Sequence, residues 1–418
     1  MSGKLSFTDA RSVFANRQFA AYTIGNFLSH VGDWAAKLAV GWLTWQLTHS
    51  PAWLGIILFW DLAPTLLISP IGGAVVDRMD RLLLTRITVV LSMLQPIVLS
   101  IIYFVGWLNI WVLLVGTIYL GTVNAFGQTT RLAIVPLLVP ERDIPRAAPI
   151  SSISFNMARF LGPALFGLIV LITNDPGYGI LLNALTFAVF LWVMCRLDLR
   201  EEALNKASGK GLAADVWEGV RYALTHPGVG PLLIVLVVSS VGTRAFLDLL
   251  PGFAGGVFGR GPEALSIMTS AVGLGALTGA IYLLMRPSII GLATVAMYGS
   301  GWVGVGLIIF TMIDHFWIGV ACLYFVGIGL STSAVGVLTI LQTCVSGPMR
   351  GRALSIYGII FRGGPALGGL IMGWIAEWTG LAWPVAGGGL ICVLAWIWVL
   401  GQLKSVNRNI AEHVAKNQ

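Results

Sequence analysis

The chain has 418 residues, of which 57% are hydrophobic and only 10% are charged, and its net charge is +7. A soluble domain usually carries about 25% charged residues, so this composition excludes an ordinary water-facing surface and indicates a protein that lies in lipid. The basic balance alone is compatible with nucleic-acid binding, but in a membrane protein it more often reflects basic cytoplasmic loops.

Twelve apolar segments follow one another along the chain, each long enough for a bilayer-crossing helix, which needs roughly 20 residues. Turn-forming residues such as Ser50-Pro51, Asn109 and Gly261-Pro262 separate them. The sequence therefore predicts an all-α integral membrane protein with 12 transmembrane helices. The predicted spans are residues 18–47, 52–76, 83–105, 109–139, 147–173, 178–197, 231–257, 263–286, 288–312, 316–346, 351–378 and 382–403.

Nineteen of the 25 Lys and Arg residues fall in the two tails, in the loops that would share the N-terminal side of the membrane, or at the span ends beside those loops. The opposite side holds only Arg260, and the other five lie deeper inside predicted spans. Because cytoplasmic loops are enriched in Lys and Arg, both termini are predicted to be cytoplasmic. This distribution accounts for the basic balance, so we expect no nucleic-acid partner.

The longest polar segment, residues 198–230, divides the chain into an N-terminal bundle of six helices, residues 1–197, and a C-terminal bundle of six, residues 231–418. Its sequence AADVWEGVRYALTHPG places apolar residues near one helical face, which is typical of an amphipathic helix on the inner membrane surface. We expect a cytoplasmic linker there, because the segment is too short for a domain of its own.

The pattern GPALxGLI occurs twice, beginning at Gly162-Pro163 in the fifth span and 202 residues later at Gly364-Pro365 in the eleventh. Duplicated halves are typical of transporters in which two halves rock about a central site. The small residues are predicted to let helix backbones approach closely, and the prolines to bend their helices.

A charge at the middle of a bilayer costs about 2.5–3.5 kcal/mol, so charged residues inside spans are candidates for a functional site. Asp33 and Lys37 are four residues apart on one helical face and are therefore able to pair. Arg244 and Asp248 repeat this spacing in the seventh span, with the order of signs reversed. We predict a central polar cavity for substrate and coupled protons, formed by Asp33, Lys37, Asp61, Arg131, Arg159, Arg244, Asp248 and Arg362.

Five of these eight residues are basic and three are acidic, which favours anionic or zwitterionic amphiphiles over cationic drugs as substrates. The four cysteines lie in apolar stretches without paired spacing and are predicted to be buried thiols. The chain shows no Walker A loop, no GxSxG elbow and no zinc-binding histidine spacing. We therefore expect no metal, no cofactor other than a proton gradient, and no enzyme activity.

The segment GGAVVDRMDRLLLTR, residues 72–86, resembles the signature loop of the major facilitator superfamily, although Leu82 stands where a second basic residue is common. The segments SHVGDWAAKLAVGWLTWQLTHSPAWLG, TTRLAIVPLLVPERD, ARFLGPALFG and WEGVRYALTHPG are similar to the subgroup that holds enterobactin exporters and macrolide-type drug:proton antiporters. The resemblance covers nearly the whole chain.

The resemblance implies two pseudo-symmetric six-helix bundles with alternating access, in a bacterial cytoplasmic (inner) membrane. It also implies that Gly73, Asp77, Arg78 and Arg81 belong to a cytoplasmic gate, where a carboxylate at a helix end pairs with a neighbouring arginine. The alternative is a solvated charge run that only sets the topology. We expect a monomer whose partners are the lipid bilayer and a small-molecule substrate.

A coupled proton needs a carboxylate that can be protonated inside the membrane. Asp33 is the candidate by position and by its match to the subgroup's Gly-Asp-Trp. The nearby Lys37 leaves open a permanent ion pair without a transport role. Asp61 has no charged neighbour in sequence and is the alternative, either as the proton site or as a gate residue.

These observations favour a proton-coupled exporter of small amphipathic molecules, drug-like or siderophore-like. The alternatives are an importer or a lipid or lysolipid transporter on the same fold, because embedded charges suit these as well. A membrane enzyme or a purely structural membrane protein is the remaining class.

Overall fold

The computed structural model of the protein describes residues 14–76, 79–140, 143–198, 230–286, 288–344 and 347–416, and every regular element in these ranges is helical. The helices are α1 (Arg17–Thr48), α2 (Pro51–Val76), α3 (Arg81–Phe104), α4 (Ile110–Ile134), α5 (Ile144–Thr173), α6 (Gly177–Arg196), α7 (Gly230–Val257), α8 (Pro262–Met285), α9 (Leu292–Phe310), α10 (Phe316–Cys344), α11 (Gly347–Thr379), α12 (Ala382–Leu400) and α13 (Leu403–Lys416).

Several helices begin at the predicted breaks because the residue there caps the helix. The side chain of Asn109 accepts hydrogen bonds from the backbone N–H groups of Trp111 and Val112, at 3.0 and 3.1 Å, and α4 follows. Asp80 accepts from Leu83 N–H at 2.9 Å at the start of α3. Such caps satisfy backbone donors that lack a partner inside the helix.

Each of the twelve predicted spans coincides with one of the helices α1–α12. Within the described ranges, eleven helices are long and apolar enough to cross a membrane, and α1 is not among them. With 32 residues α1 is about 48 Å long, so its length suffices, but polar residues such as Asp33 and Lys37 lower its hydropathy. The twelve-span topology and the cytoplasmic termini therefore stay predictions.

The helix α7 changes its winding twice along its length. It is α-helical over Gly230–Ser239, π-helical over Ser240–Arg244, α-helical again over Phe246–Gly252 and π-helical over Phe253–Val257. A π segment inserts an extra residue into a helical turn and is frequent at functional sites. The first one ends at Arg244, one of the predicted cavity residues.

Two compact units make up the described chain. Unit 1 comprises residues 14–47 and 63–198, and unit 2 comprises residues 48–62 and 230–416. The two units divide α2, because its first part packs with the second unit. The sequence-based division at residues 197 and 231 stays a prediction, and most of the 198–230 linker with its amphipathic helix lies outside the described residues.

The helices inside each unit follow the same neighbour pattern. In unit 1, α3 packs against α4 and α6, and in unit 2 the corresponding α9 packs against α10 and α12. Gly162 brings α5 onto α1, and Gly364 brings α11 onto α7. This shared pattern extends the short sequence repeat to the arrangement of helices within each half.

The predicted burial of the cysteines is only partly correct. Cys344 and Cys392 are buried and Cys322 is partly exposed, whereas Cys195 is exposed. The prediction is wrong for Cys195 because it lies near the end of α6, on a face that α6 does not use for packing.

Candidate functional site

One face of α1 carries a row of polar and aromatic side chains. His30, Asp33, Trp34 and Lys37 follow at the spacing i, i+3, i+4 and i+7, which places them along one side of a helix. His30 Nδ1 lies 3.5 Å from Asp33 Oδ2, and the two side chains are 20% and 35% exposed. The structure thus places an imidazole beside Asp33. The predicted pairing of Asp33 with Lys37 stays a prediction.

The helix α5 completes this cluster with Phe155 and Arg159, which are one turn apart. The Phe155 ring meets the His30 ring edge to face at 5.3 Å and the Trp34 ring at 6.4 Å between centroids. Arg159 Cζ lies 5.5 Å from the centre of the Trp34 ring, and Lys37 Nζ lies 5.8 Å from the same centre. We call these six residues the α1–α5 cluster; it combines two cations, one carboxylate, one imidazole and two aromatic rings.

The close approach of α5 to α1 depends on Gly162. A Cβ atom at this position would lie 2.8 Å from the carbonyl oxygen of Val31 and closer still to the Cβ of Trp34. Real Cβ atoms do not tolerate such distances, so any larger residue would push the two helices apart. The glycine of the repeated motif therefore sets how near Arg159, three residues earlier, lies to Trp34.

The equivalent helix pair of unit 2 also holds a cation against a ring, with the partners exchanged. Arg244 Cζ lies 3.8 Å from the centre of the Phe361 ring, so the cation comes from α7 and the ring from α11. Phe361 occupies the repeat position of Arg159, 202 residues later. Tyr357 stacks on Phe361 at 5.4 Å and donates a hydrogen bond to the carbonyl oxygen of Ala334 at 3.2 Å.

Arg131 lies in a separate part of unit 1. Its guanidinium donates to Asn26 Oδ1 and Ser29 Oγ, both at 3.2 Å, and its Cζ lies 4.9 Å from the ring centre of Phe190. Fully buried Tyr22 donates a hydrogen bond to the Arg131 carbonyl at 3.0 Å. These contacts tie α4 to α1 and α6, so they place Arg131 in the packing of these three helices.

The remaining predicted cavity residues, Asp61, Asp248 and Arg362, are all partly buried, on α2, α7 and α11 respectively. Of the predicted gate, Asp77 and Arg78 lie outside the described residues and Gly73 lies in the last turns of α2. Arg81 is the first residue of α3, and its carbonyl accepts a hydrogen bond from Thr85 Oγ1 at 2.7 Å. Its role in a gate stays a prediction.

The beginning of α2 is bound to α11 inside unit 2. Exposed Glu377 accepts a hydrogen bond from Ser50 Oγ at 2.6 Å and one from the backbone N–H of Ala52 at 3.2 Å. Ser50 Oγ in turn accepts from Trp53 N–H at 3.4 Å. A Cβ added to Gly55 would collide with the backbone of Gly369, so the two helices touch through their backbones. Glu377 thus caps a helix 325 residues away in sequence.

An apolar cavity of about 570 Å³ lies elsewhere in unit 2, between α7, α11 and α12. Val241 and Gly242 of the first π segment line it together with Ile371, Met372 and Gly387. Its lining contains none of the charged residues predicted for the site, so the α1–α5 cluster is the better candidate for recognition and proton chemistry.

Sequence reasoning singled out the charges of the α1–α5 cluster but missed the groups that surround them. One of them is His30, which lies beside Asp33, and its spacing of three residues is the signal for that contact. Phe155 precedes Arg159 by one turn, just as Tyr357 precedes Phe361, and this aromatic repeat is visible in the sequence. Nothing local indicates that Glu377 caps α2.

The family model described as a transmembrane secretion effector matches residues 8–417. The staphyloferrin A transporter of Staphylococcus aureus (strain NCTC 8325 / PS 47) is 24% identical over 371 residues, which cover 88% of this chain and 92% of that protein. The multidrug efflux pump Tap of Mycolicibacterium fortuitum is 23% identical over 374 residues, 87% of this chain and 89% of that protein.

A crystal structure of a POT family transporter in complex with a thioalcohol-conjugated peptide has a TM-score of 0.72 at 14% identity and covers 93% of this chain and 96% of that one. At this identity the likeness shows the fold alone, and it confirms the predicted all-helical transporter fold. Together with the bacterial relatives, it identifies a multi-pass membrane protein of bacterial type.

Proposed function

Because this chain belongs to the transmembrane secretion effector family of the major facilitator superfamily, we propose that it exports small amphipathic molecules, drug-like or siderophore-like, in exchange for protons. The observation that carries the proposal is the α1–α5 cluster. An ionisable group inside a membrane helix is costly and normally marks a substrate or ion pathway. Here a carboxylate, an imidazole and two cations lie together within one unit.

The Asp33–His30 pair is the proposed proton site. The carboxylate Oδ2 of Asp33 and the imidazole Nδ1 of His30 lie 3.5 Å apart. Each group can bind and release one proton, so the pair can share a proton or pass it from one group to the other. The cluster also holds the cations Lys37 and Arg159, and a proton bound by Asp33 or His30 changes the net charge of the cluster by one unit. This change in net charge would alter the affinity of the cluster for a charged substrate.

The curated relatives support the class of substrate. One is named as a transporter of staphyloferrin A and another as a multidrug efflux pump. The family description, a secretion effector, favours export. Import and lipid transport are the outcomes that would displace this proposal.

Efflux from intact cells tests the direction and the coupling. A bacterial host that lacks its own drug efflux systems expresses the chain, is loaded with erythromycin, ethidium or fluorescein, and is then energised with glucose. We expect faster loss of at least one probe than in cells with an empty vector, and we expect a protonophore to abolish the difference. Faster accumulation of the probes would establish import, and protonophore-resistant efflux would exclude proton coupling.

Three matched variants test the proton site. Asp33→Asn is expected to abolish the protonophore-sensitive efflux, whereas Asp314→Asn, the same change in an exposed segment between α9 and α10, leaves it intact. Asp61→Asn addresses the alternative carboxylate. Loss of efflux in Asp61→Asn alone would move the proton site to α2, and full activity in both variants would exclude proton carriage by either residue.

A further inference from the structure

Arg362 lies deep in the apolar part of α11. The membrane-crossing part of this helix is Ala353–Thr379, and Arg362 follows its first residue by nine positions and precedes its last by 17. With a rise of about 1.5 Å per residue, Arg362 lies about 13 Å from one end of this part and about 25 Å from the other. A charge at such a depth faces a partner or a water-filled space rather than acyl chains, and it normally marks a substrate or ion pathway.

The contacts of Arg362 differ from those of the other bases predicted for the site. Each of the other four contacts an aromatic ring or a hydrogen-bond acceptor: Lys37, Arg131, Arg159 and Arg244. The Arg362 guanidinium has no hydrogen bond, ion pair or ring contact with any residue that the structure describes. Its N–H donors are therefore available to a ligand, at a depth where a charge without a counter-charge is unfavourable.

The face of α11 that carries Arg362 is open on one side of this residue and closed on the other. Gly358 lies one turn earlier on that face, and a Cβ atom added there would meet nothing within 4 Å. Gly369 and Gly373 lie two and three turns later, where they rest on the first part of α2; a Cβ atom on Gly373 would lie 2.5 Å from the carbonyl oxygen of Pro51. All these residues belong to unit 2. Arg362, itself only partly buried, thus borders an open space where the contact with α2 ends.

We propose that Arg362 binds the anionic group of the substrate in the space beside Gly358. The guanidinium presents a planar fork of N–H donors that matches a carboxylate or phosphate. Exposed Ile359, on the preceding turn, contacts the adjoining apolar part of the same molecule. This inference rests on the proposed function and names its substrate class: organic acids with an apolar body. The oxyanion belongs either to a soluble organic acid or to the headgroup of a lysolipid.

Two xanthene dyes of opposite charge provide the test. Fluorescein carries a carboxylate, whereas rhodamine 123 has a related ring system, a methyl ester and a positive charge. Binding of each dye to the purified full-length protein in an uncharged detergent is measured by fluorescence anisotropy, with detergent micelles as the blank. We expect fluorescein to bind at least about tenfold more tightly than rhodamine 123, since one charge-assisted hydrogen bond accounts for that factor.

Three variants assign the preference to Arg362 and to the space beside it. Arg362→Gln is expected to weaken fluorescein binding about tenfold and to leave rhodamine 123 binding equal or tighter. Arg408→Gln is the same change at an exposed position of α13 and should affect neither dye. Gly358→Leu keeps the arginine but fills the adjoining space, so it should also weaken fluorescein binding. Unchanged fluorescein affinity in Arg362→Gln or in Gly358→Leu would overturn the inference.

The thermal unfolding temperature separates recognition from a structural role of Arg362. Because the guanidinium has no partner among the described residues, Arg362→Gln breaks no contact with them and removes an embedded charge. We expect this variant to unfold at or above the temperature of the unmodified protein, although it binds fluorescein less tightly. A clearly lower unfolding temperature would show that Arg362 stabilises the fold through a partner in the protein, which contradicts the proposal.

Competition identifies the source of the oxyanion. Displacement of fluorescein by 5-phenylvalerate and not by lysophosphatidylglycerol assigns a soluble organic acid, and the reverse assigns a lysolipid headgroup. Equal affinity for the two dyes, or displacement by neither competitor, would overturn the inference. Binding is measured without a proton gradient. Proton-coupled export of rhodamine 123 without fluorescein binding therefore refutes only the anion site, whereas Arg362-dependent fluorescein binding without export of any probe refutes only the proposed function.

Discussion

The contact between α11 and α7 predicts that two glycines six residues apart on one helix respond oppositely to alanine. At Gly364 a Cβ atom would lie 3.2 Å from the carbonyl carbon and 3.4 Å from the Cα of Ser240, and closer still to the Ser240 Cβ. At Gly358, on the same helix, a Cβ atom would meet nothing within 4 Å. The variants are therefore Gly364→Ala and Gly358→Ala.

The expected change in the free energy of unfolding combines two contributions, of which one is common to both variants. Replacing glycine by alanine inside a helix gains about 1 kcal/mol in either case. Overpacking costs about 1–3 kcal/mol, and it applies only to Gly364 because backbone atoms of Ser240 cannot rotate out of the way. The two variants should thus differ by about 1–3 kcal/mol, or about 2–12 °C in unfolding temperature for a unit of this size.

Thermal unfolding of the purified protein in detergent measures this difference directly. We expect Gly358→Ala to unfold at or slightly above the temperature of the unmodified protein, and Gly364→Ala below it. Equal unfolding temperatures for the two variants would show that α11 does not rest on α7 through Gly364, and would remove the structural argument for the repeated motif.

Three further predictions concern individual contacts, all read from the same unfolding assay. Glu377→Ala should lower the free energy of unfolding by about 1 kcal/mol, since it removes the carboxylate that accepts hydrogen bonds from Ser50 and Ala52 at the start of α2. An unchanged free energy of unfolding would show that this cap does not stabilise the protein. Arg131→Met should cost about 1.5–3 kcal/mol through its charge-assisted hydrogen bonds, and no loss would contradict its assignment to helix packing. Tyr22→Phe should cost about 0.5–1.5 kcal/mol, and a stabilised variant would argue against the bond to the Arg131 carbonyl.

The helices were predictable from sequence because their ends carry local signals. Asn109, Ser50-Pro51 and Gly261-Pro262 mark helix starts through caps and proline geometry that depend only on neighbouring residues. The apolar length of each span is likewise a local property. Eleven of the twelve spans meet the criteria for crossing a membrane, and α1 falls short because of the same polar residues that make it a candidate for function.

The surroundings of the charged residues were not predictable, because tertiary contacts decide them. The π segment that ends at Arg244 lies where Gly242 contacts the backbone of Gly388 on α12, and no local sequence pattern in α7 predicts it. The exchange of cation and ring between Arg159 and Phe361 becomes visible only once the helices are paired. Sequence spacing identified which charges are embedded; the structure was needed to show what each one touches.

Proton movement during substrate exchange tests the central claim most directly. The purified protein is placed in lipid vesicles that are loaded with fluorescein and suspended in a lightly buffered medium, at a pH where the dye itself carries no exchangeable proton. If the cluster couples export to protons, the medium becomes more alkaline as the dye leaves, and Asp33→Asn vesicles show no such change. Dye efflux from vesicles of the unmodified protein without any change in external pH would contradict the account.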